Sequence, residues 1–155
     1  MRIFLAAIGR LGRIPEAELA RDWAQRATAS GRSLGLGPVE ILEIEPRKPG
    51  RAAEGEALLE AAGQGAFIVA CDERGEAFAS RRFAEKIATL RDQGERRLVF
   101  VIGGADGLSD EVRAAAKLKL AFGPQTWPHA LARAMLAEQV YRAVTILAGS
   151  PYHRD

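Results

Sequence analysis

Short apolar runs alternate with amphipathic helical patterns along the whole chain, and this alternation limits the folds available to it. The runs that predict strands are RIFLAAI, VEILEIE, AFIVACD, RRLVFVI and the short KLAFG. Most are apolar without interruption, as in a parallel sheet that is covered on both faces. VEILEIE instead alternates, which predicts a strand with one face more exposed. The pattern predicts one α/β domain over residues 1–155, with a mostly parallel sheet flanked by helices.

Start and stop residues mark the helices between these strands. Pro15 opens the first helix at the favoured first position, and the turn residues of SGRSLGLGP predict a loop after it. We expect the side chain of Ser80 to cap the third helix and that of Ser109 to cap the fourth. The last helix is predicted from about Pro128 to Leu147.

Cysteines and histidines are few. Cys71 is the only cysteine, so an intrachain disulfide is excluded. With His129 and His153 as the only histidines, the chain offers too few ligands for a typical zinc site. We therefore expect no bound metal.

No targeting or membrane segment is predicted. The apolar run Ile3–Ile8 is shorter than a typical signal core, and Arg10 follows soon after it. No segment approaches the roughly 18 apolar residues that a membrane span requires. The formal net charge of +2 neither demands nor excludes nucleic acid. These features predict a cytoplasmic protein without a membrane partner.

Three loops are candidates for a ligand site because they follow predicted strands. Ligands of open parallel sheets bind at the carboxyl ends of the strands. On composition, the loops CDERGEAFAS, GGADGLS and GPQTWPH qualify.

The glycine pair Gly103 and Gly104 has two interpretations. Without a Cβ, both residues would let a ligand approach the backbone closely, and the helix after Ser109 would favour a negative group nearby. Equally, a tight strand-to-helix turn needs glycine for its own dihedral angles. The loop matches neither the dinucleotide fingerprint nor the P-loop pattern.

Trp127 and Cys71 are also open to two interpretations. The irregular backbone at Gly123 and Pro124 would offer free N–H and C=O groups to a ligand, and Trp127 would offer a flat surface for a base. Trp127 could instead fill the core. A lone cysteine such as Cys71 usually behaves as a small packed hydrophobe.

The last helix combines alanines with a charged pair. Glu138 and Arg142 are four residues apart and can pair on one face, beside Leu131 and Met135. A charged pair among apolar neighbours favours a contact surface, although an exposed pair of small energetic value is the simpler alternative.

Basic residues form four small clusters in the sequence. Each is compatible with a solvated face, and together they would suit a surface that follows an RNA backbone. The clusters are Arg10 with Arg13, Arg47–Lys48–Arg51, Arg81–Arg82 and Arg96–Arg97.

The stretches IGGADG, PHALARAMLAEQVYRA and the ending SPYHRD resemble the bacterial large-subunit rRNA pseudouridine N3-methyltransferases of the SPOUT class. The resemblance covers essentially the whole chain and is most specific in its carboxyl-terminal third. It implies a C-terminal trefoil knot and an S-adenosylmethionine site built from three loops. The residues that this implies for the cofactor are Cys71, Asp72, Gly103, Gly104, Phe122, Gly123, Pro124, Gln125, Thr126 and Trp127. Trp127 and Cys71 stand where many relatives have aliphatic residues.

The resemblance also gives the chain end a catalytic role. His153 is the expected acceptor of the pseudouridine N3 proton, because histidine titrates near neutral pH. Arg154 would stabilise charge on the flanking carbonyl oxygens or hold a phosphate, and Tyr152 would contact the flipped base. Methyl transfer otherwise requires mainly alignment of donor and acceptor.

The expected partners are 23S rRNA, in the assembled ribosome, and a second copy of the chain in a homodimer. Substrate or interface contacts are assigned to His129, Arg133, Glu138 and Arg142. One alternative is a non-catalytic RNA-binding or ribosome-associated factor with the same fold. Another is a nucleotide-binding metabolic protein, which the missing phosphate-loop patterns disfavour.

Overall fold

The computed structural model describes residues 1–154 and confirms the alternation of strands and helices. The strands are β1 (Arg2–Ile8), β2 (Val39–Ile44), β3 (Phe67–Glu76), β4 (Arg97–Ile102) and β5 (Leu118–Leu120). The helices are α1 (Pro15–Gly31), α2 (Arg51–Ala62), α3 (Ser80–Asp92), α4 (Asp110–Ala115) and α5 (His129–Leu147), with a 3-10 turn at Arg32–Leu34. Of the helices in this part of the chain, none has the length and apolar character needed to cross a membrane.

The five strands form one parallel sheet in the order β2-β1-β4-β3-β5. The predicted parallel sheet flanked by helices is therefore confirmed. Strands β1 and β4 lie in the interior of the sheet and are buried on both faces. In β1, Ile3 and Leu5 pack in one core with α1, α3 and α5, whereas Phe4 and Ala6 pack in a second core with α2. This two-sided burial explains why the run is apolar without interruption.

The alternating strand β2 behaves differently from the prediction. It lies at the edge of the sheet, where Val39 is buried and the other five residues are half-buried regardless of the face on which they lie. An edge strand is reached by solvent along its open side as well as from its faces. The predicted contrast between a buried and an exposed face is therefore absent.

Two predicted element boundaries are wrong. Helix α1 continues to Gly31 and is followed by the 3-10 turn, within the segment that we predicted as loop. Ser80 is the first residue of α3 and not its cap, because its Oγ donates to Gln139 Oε1 on α5 at 3.0 Å. The cap at Ser109 is confirmed, since its Oγ accepts from the backbone N–H of Val112 at 3.3 Å.

Strand β3 runs four residues beyond its predicted end at Asp72 and contains an irregularity there. It pairs with β5 at Cys71, leaves the ladder, and returns at Glu76, which faces the same residue of β5, Leu120. A Cβ at Gly75 would lie 2.6 Å from the backbone carbonyl carbon of Lys119, so this close approach of two chains requires glycine. The irregular segment forms one wall of the site described below.

A buried arginine joins the last helix to the first strand. Arg133 on α5 has a side chain only 2% exposed. It donates to the carbonyl oxygen of Gly9 at 2.9 Å and also to that of Ile8. Its Nη1 lies 3.7 Å from a carboxylate oxygen of Glu43 on β2. Burial lowers the pKa of Arg133, and the charge of Glu43 partly offsets this shift.

Candidate active site

A cavity of about 860 Å³ opens at the carboxyl edge of the sheet, beside β4, β3 and β5. The three loops that the strand-end argument selected meet around it. The predicted cofactor residues that line the cavity are Cys71, Asp72, Gly103, Gly104, Phe122, Gly123, Gln125, Thr126 and Trp127. Pro124 belongs to the same loop but does not line the cavity. The structure therefore brings together residues that are separated by more than fifty positions in the chain.

Asp72 anchors one wall of the cavity. Its side chain is 3% exposed and accepts from Arg113 Nε of α4 at 2.5 Å. Its second oxygen accepts from the backbone N–H of Arg74 at 2.9 Å, which holds the irregular segment of β3. Burial alone would raise the pKa of Asp72, but the bonds from Arg113 and Arg74 lower it overall. Asp72 is thus held as a carboxylate and neutralised by Arg113.

Cys71 is half-buried in the cavity wall. Burial and the neighbouring charge of Asp72 raise the pKa of its thiol to about 12. At neutral pH the side chain is therefore a neutral thiol with little nucleophilic character. This agrees with its interpretation as a small packed hydrophobe.

The glycine pair is required by packing inside the protein. A Cβ at Gly103 would lie 2.7 Å from the backbone carbonyl carbon of Gly107. A Cβ at Gly104 would lie 2.9 Å from both carboxylate oxygens of Glu54 on α2. Neither glycine has a positive φ, so the predicted requirement for glycine dihedral angles is wrong. The close approach of neighbouring atoms is the cause instead, and the same turn also lines the cavity.

Trp127 does not fill the core. Its side chain lies at the mouth of the cavity with 37% of the residue exposed, and its Nε1 donates to the carbonyl oxygen of Phe122 at 3.2 Å. The ring therefore presents a flat, partly exposed face beside the loop that follows β5. The core interpretation of this residue is wrong.

The chain end folds back onto the second half of α5. The hydroxyl of Tyr152 donates to Glu138 Oε1 at 2.9 Å, and the same oxygen accepts from Arg142 Nη2 at 2.5 Å. The guanidinium of Arg142 also lies 4.8 Å from the centroid of the Tyr152 ring, which packs against Trp23 and Tyr141. Burial and the bond to Glu138 raise the pKa of Tyr152. The predicted i,i+4 pair is confirmed, and Tyr152 packs over it.

His153 lies against the same pair. Its Nδ1 is 3.3 Å from Arg142 Nη1. Because a guanidinium can only donate, Nδ1 is the acceptor in this contact. Arg154 is exposed. Within residues 1–154, none of the three tail residues lines the cavity, so one chain by itself keeps the two predicted halves of the site apart.

The remaining predicted contact residues occupy two different environments. His129 is exposed at the first position of α5 and lines the cavity. Arg133, one helical turn later, is buried and bound to the carbonyl oxygens after β1. Its guanidinium therefore faces the interior, and the assignment of Arg133 to a substrate or interface contact is not supported by its position. Among residues 1–154, no group of acidic, histidine or cysteine side chains is arranged to hold a metal ion.

Comparison with known proteins agrees with this geometry. Residues 1–153 match the model of a family described as predicted SPOUT methyltransferases.

The chain belongs to the SPOUT methyltransferase family.

Individual relatives match along their full length. A protein from Phenylobacterium zucineum (strain HLK1) named ribosomal RNA large subunit methyltransferase H is 69% identical, with all of both chains covered. One of the same name from Caulobacter sp. (strain K31) is 66% identical over the same extent. A probable methylase family protein from Haemophilus influenzae Rd KW20 shares the fold with a TM-score of 0.57 at 15% identity, covering 99% of this chain and 70% of that one.

Three residues that line the cavity or support its walls were missed by the sequence analysis. Arg113, which neutralises Asp72, gave no signal because a charged residue on a short helix resembles any solvated one. Glu54, beside Gly104, is half-buried, and within the described residues its Oε2 is buried without a hydrogen-bond partner. Gly75 could have been found, since an isolated glycine next to a strand pattern often marks a bulge.

Proposed function

We propose that this SPOUT protein transfers a methyl group from S-adenosylmethionine to N3 of a pseudouridine in 23S rRNA. The observation that carries the proposal is the cavity formed by three loops at the carboxyl edge of the sheet. The names of full-length relatives at 69% and 66% identity support methylation of large-subunit rRNA. The choice of N3 and of pseudouridine depends on the likeness of the chain end, SPYHRD, to that of such enzymes.

The cavity suits S-adenosylmethionine in size and chemistry. Its volume of about 860 Å³ lies in the range of small-molecule sites. The backbone of 102–107 and 122–127 would bind the polar groups, and Trp127 offers its face to the adenine. Charged side chains of both signs line the same space, among them Glu73, Asp106 and Arg51, which suits a ligand that carries both positive and negative groups. When bound, the cofactor supplies a methyl group on a positively charged sulfur.

The residues of the tail would bind the acceptor base and accept its proton. N3 must lose its proton as the new bond forms, and His153 accepts it at Nδ1, the nitrogen that now faces Arg142. That contact must therefore open before His153 can act. Arg154 would stabilise negative charge on the neighbouring carbonyl oxygens, and Tyr152 would pack against the base.

The proposal includes a homodimer in which each site combines two chains. The tail residues do not line the cavity of their own chain, which supports an arrangement in which a second chain brings its tail to the cavity. A groove of about 530 Å³ between α1 and α5 provides a contact surface. Its apolar lining includes Leu19, which is 48% exposed, together with Leu131 and Met135, and Glu138 lies at the same groove. Symmetric dimers are the commonest assembly of soluble proteins.

The C-terminal trefoil knot is part of the same proposal. What supports it is the family membership and the path of the chain, which leaves the edge strand β5 and returns across the sheet to β1 through Arg133. We also propose that the protein acts in the cytoplasm, where an enzyme that modifies ribosomal RNA would meet its substrate.

Two measurements test the reaction. We expect calorimetry to show binding of S-adenosylmethionine by the purified protein, and mass analysis of rRNA from a deletion strain to show the loss of one methyl group on a pseudouridine. A protein that binds rRNA but not the cofactor would be a non-catalytic factor, and the proposal would be wrong.

A mixing experiment tests the shared site. One variant carries Gly104→Val, which damages the cavity, and the other lacks residues 152–155. Each is expected to be inactive alone. In mixed dimers one site has an intact cavity and an intact tail, so activity should return. No recovery from a confirmed mixed dimer would show that each site belongs to one chain.

A further inference from the structure

Two neighbouring loops at the carboxyl edge of β1 and β2 carry five basic side chains. We propose that this group, here called the basic edge (Arg10, Arg13, Arg47, Lys48 and Arg51), binds the phosphate backbone of the RNA strand and directs it to the cavity. The inference depends on the proposed function for the presence of an RNA substrate. It adds where on the molecule that substrate lies.

The two loops are held side by side by the sheet. Ile8 of β1 is level with Ile44 of β2, and the backbone N–H of Gly9 donates to the carbonyl oxygen of Ile44 at 2.8 Å. Adjacent strands lie about 4.8 Å apart, so both loops leave the sheet at the same place. The ion pair of Arg10 with Glu45, at 3.4 Å, joins the first loop to the second.

Positive charge is concentrated in these loops. Residues 9–14 and 45–51 contain five basic residues and one acidic residue, Glu45, a net charge of +4. The whole chain has a formal charge of +2, so the remaining residues carry a net −2. The positive field of the protein is therefore concentrated at this edge, where it can attract a polyanion.

Both loops are restrained, and the ion pair with Glu45 engages one of the five basic groups, Arg10. The N–H of Leu11 donates to Glu43 Oε1 at 3.0 Å, and Arg133 binds the carbonyl of Gly9, which fixes the first loop. Pro46 and Pro49 restrict the backbone of the second. All five basic side chains are exposed. The cost in entropy of ordering these loops on a ligand is therefore small.

Arg47 and Lys48 stand at the tip of the second loop. Within residues 1–154 neither forms a hydrogen bond or an ion pair with the protein. Their charges are therefore available to phosphate groups.

The basic edge continues into the cavity through Arg51. This residue begins α2 and lines the cavity together with Gly104. A strand bound along the loops would thus reach the rim of the site.

The cluster at Arg96 and Arg97 lies elsewhere. Arg96 precedes β4 and Arg97 is its first residue, so the cluster is at the opposite edge of the sheet. Arg97 there donates to the carbonyl oxygens of Ala61 and Ala62, and its guanidinium carbon lies 3.8 Å from the centroid of the Phe4 ring. It stabilises the fold, and its position on the amino-terminal side of the sheet keeps it away from the cavity.

A pair of matched double variants tests the proposal. Arg47→Gln/Lys48→Gln removes two exposed charges from the basic edge. Arg32→Gln/Arg96→Gln removes two exposed charges from the amino-terminal side of the sheet. Binding of a short fluorescent single-stranded RNA is measured by anisotropy over a range of salt concentrations. For the first variant we expect about tenfold weaker binding, and a slope of log K against log salt that is smaller by about 1.4, because each lost phosphate contact contributes about 0.7.

The control variant should bind RNA within about twofold of the wild type. Equal weakening of both variants, or no weakening of either, would overturn the proposal, since bulk charge or another surface would then bind RNA. Loss of binding to phosphatidylglycerol vesicles with unchanged RNA binding would assign the edge to a membrane and also overturn it. Calorimetry should show unchanged binding of S-adenosylmethionine by both variants. The RNA measurement requires neither cofactor nor turnover, so it decides the role of the edge even if no methylation is found.

Discussion

The cavity and the chain end are held in place by different kinds of interaction. The cavity is formed by backbone segments that approach closely at Gly75 and Gly103, and by the buried pair of Asp72 with Arg113. The tail is held by side-chain contacts of partly exposed groups. A region of the first kind is rigid before any ligand arrives, whereas one of the second kind can detach at little cost. The difference is consistent with the proposed cofactor site and with the proposed contact of the tail with a second chain.

The largest loss of stability is expected from adding a methyl group at Gly103. Gly103→Ala places its Cβ against the backbone of Gly107, which cannot move without rebuilding the turn. We expect a loss of about 3 kcal/mol in the free energy of unfolding and loss of cofactor binding, measured by denaturant unfolding and calorimetry.

Gly104→Ala is the matched comparison. Its Cβ meets the flexible carboxylate of Glu54 and should cost only about 1 kcal/mol. Introducing the same change into Glu54→Ala protein should cost almost nothing. Equal costs for both glycines would contradict the distinction between backbone and side-chain neighbours.

Removing Arg113 should have the next largest effect. Arg113→Ala leaves the buried carboxylate of Asp72 without its partner, and we expect a loss of about 2 kcal/mol at pH 7. Asp72→Asn should cost about 1 kcal/mol, because the guanidinium of Arg113 is partly exposed and keeps its ion pair with Asp110 at 3.3 Å. Denaturant unfolding of both variants measures the order.

The pH dependence follows from the lowered pKa of Asp72. A lowered pKa stabilises the folded state above the ordinary value of 3.8, and this stabilisation is lost as the pH falls through the folded value. The difference between the wild type and Arg113→Ala should therefore be largest at neutral pH and shrink below about pH 4. If the difference in unfolding free energy stayed constant over this pH range, the ion pair of Asp72 with Arg113 would not be the cause of the pH dependence.

Substitutions in the tail should lower the unfolding free energy less than those around the cavity. Tyr152→Phe removes the hydroxyl that donates to Glu138 and keeps the ring packed against Tyr141. We expect a loss of about 0.5 kcal/mol or less in the unfolding free energy, because the bond is partly exposed, and no change in cofactor affinity. A loss of cofactor affinity equal to that of Gly103→Ala would remove the distinction between the two regions.

The smallest effect is expected from alkylating reagents, which should hardly modify the thiol of Cys71. With its pKa raised to about 12, the thiol should react with iodoacetamide at pH 8 roughly a thousandfold more slowly than a free cysteine. Mass spectrometry of the treated protein measures the modified fraction. Rapid labelling of the folded protein would show that the cavity wall opens.

Features that depend on neighbouring residues in the sequence could be predicted, and features that depend on contacts between distant residues could not. The parallel sheet follows from β1 and β4, whose burial on both faces requires uninterrupted apolar runs. The three cavity loops follow from the common edge of parallel strands. Contacts between residues far apart in the sequence left no local signal. Ser80 bonds to Gln139, 59 residues away, and without that partner in view its sequence position indicated a helix cap. Arg113 is likewise 41 residues from Asp72.

Arg133 binds the carbonyl oxygens of Ile8 and Gly9, which are synthesised more than 120 residues before it. A nascent chain exposes β1 and the alanine face of α1 first, and α5, which covers them, is made last. Folding of the first strand and helix is therefore completed only after the final helix has left the ribosome. Until then their apolar surface stays open to chaperones, and a chain that is cut short before α5 keeps it open permanently.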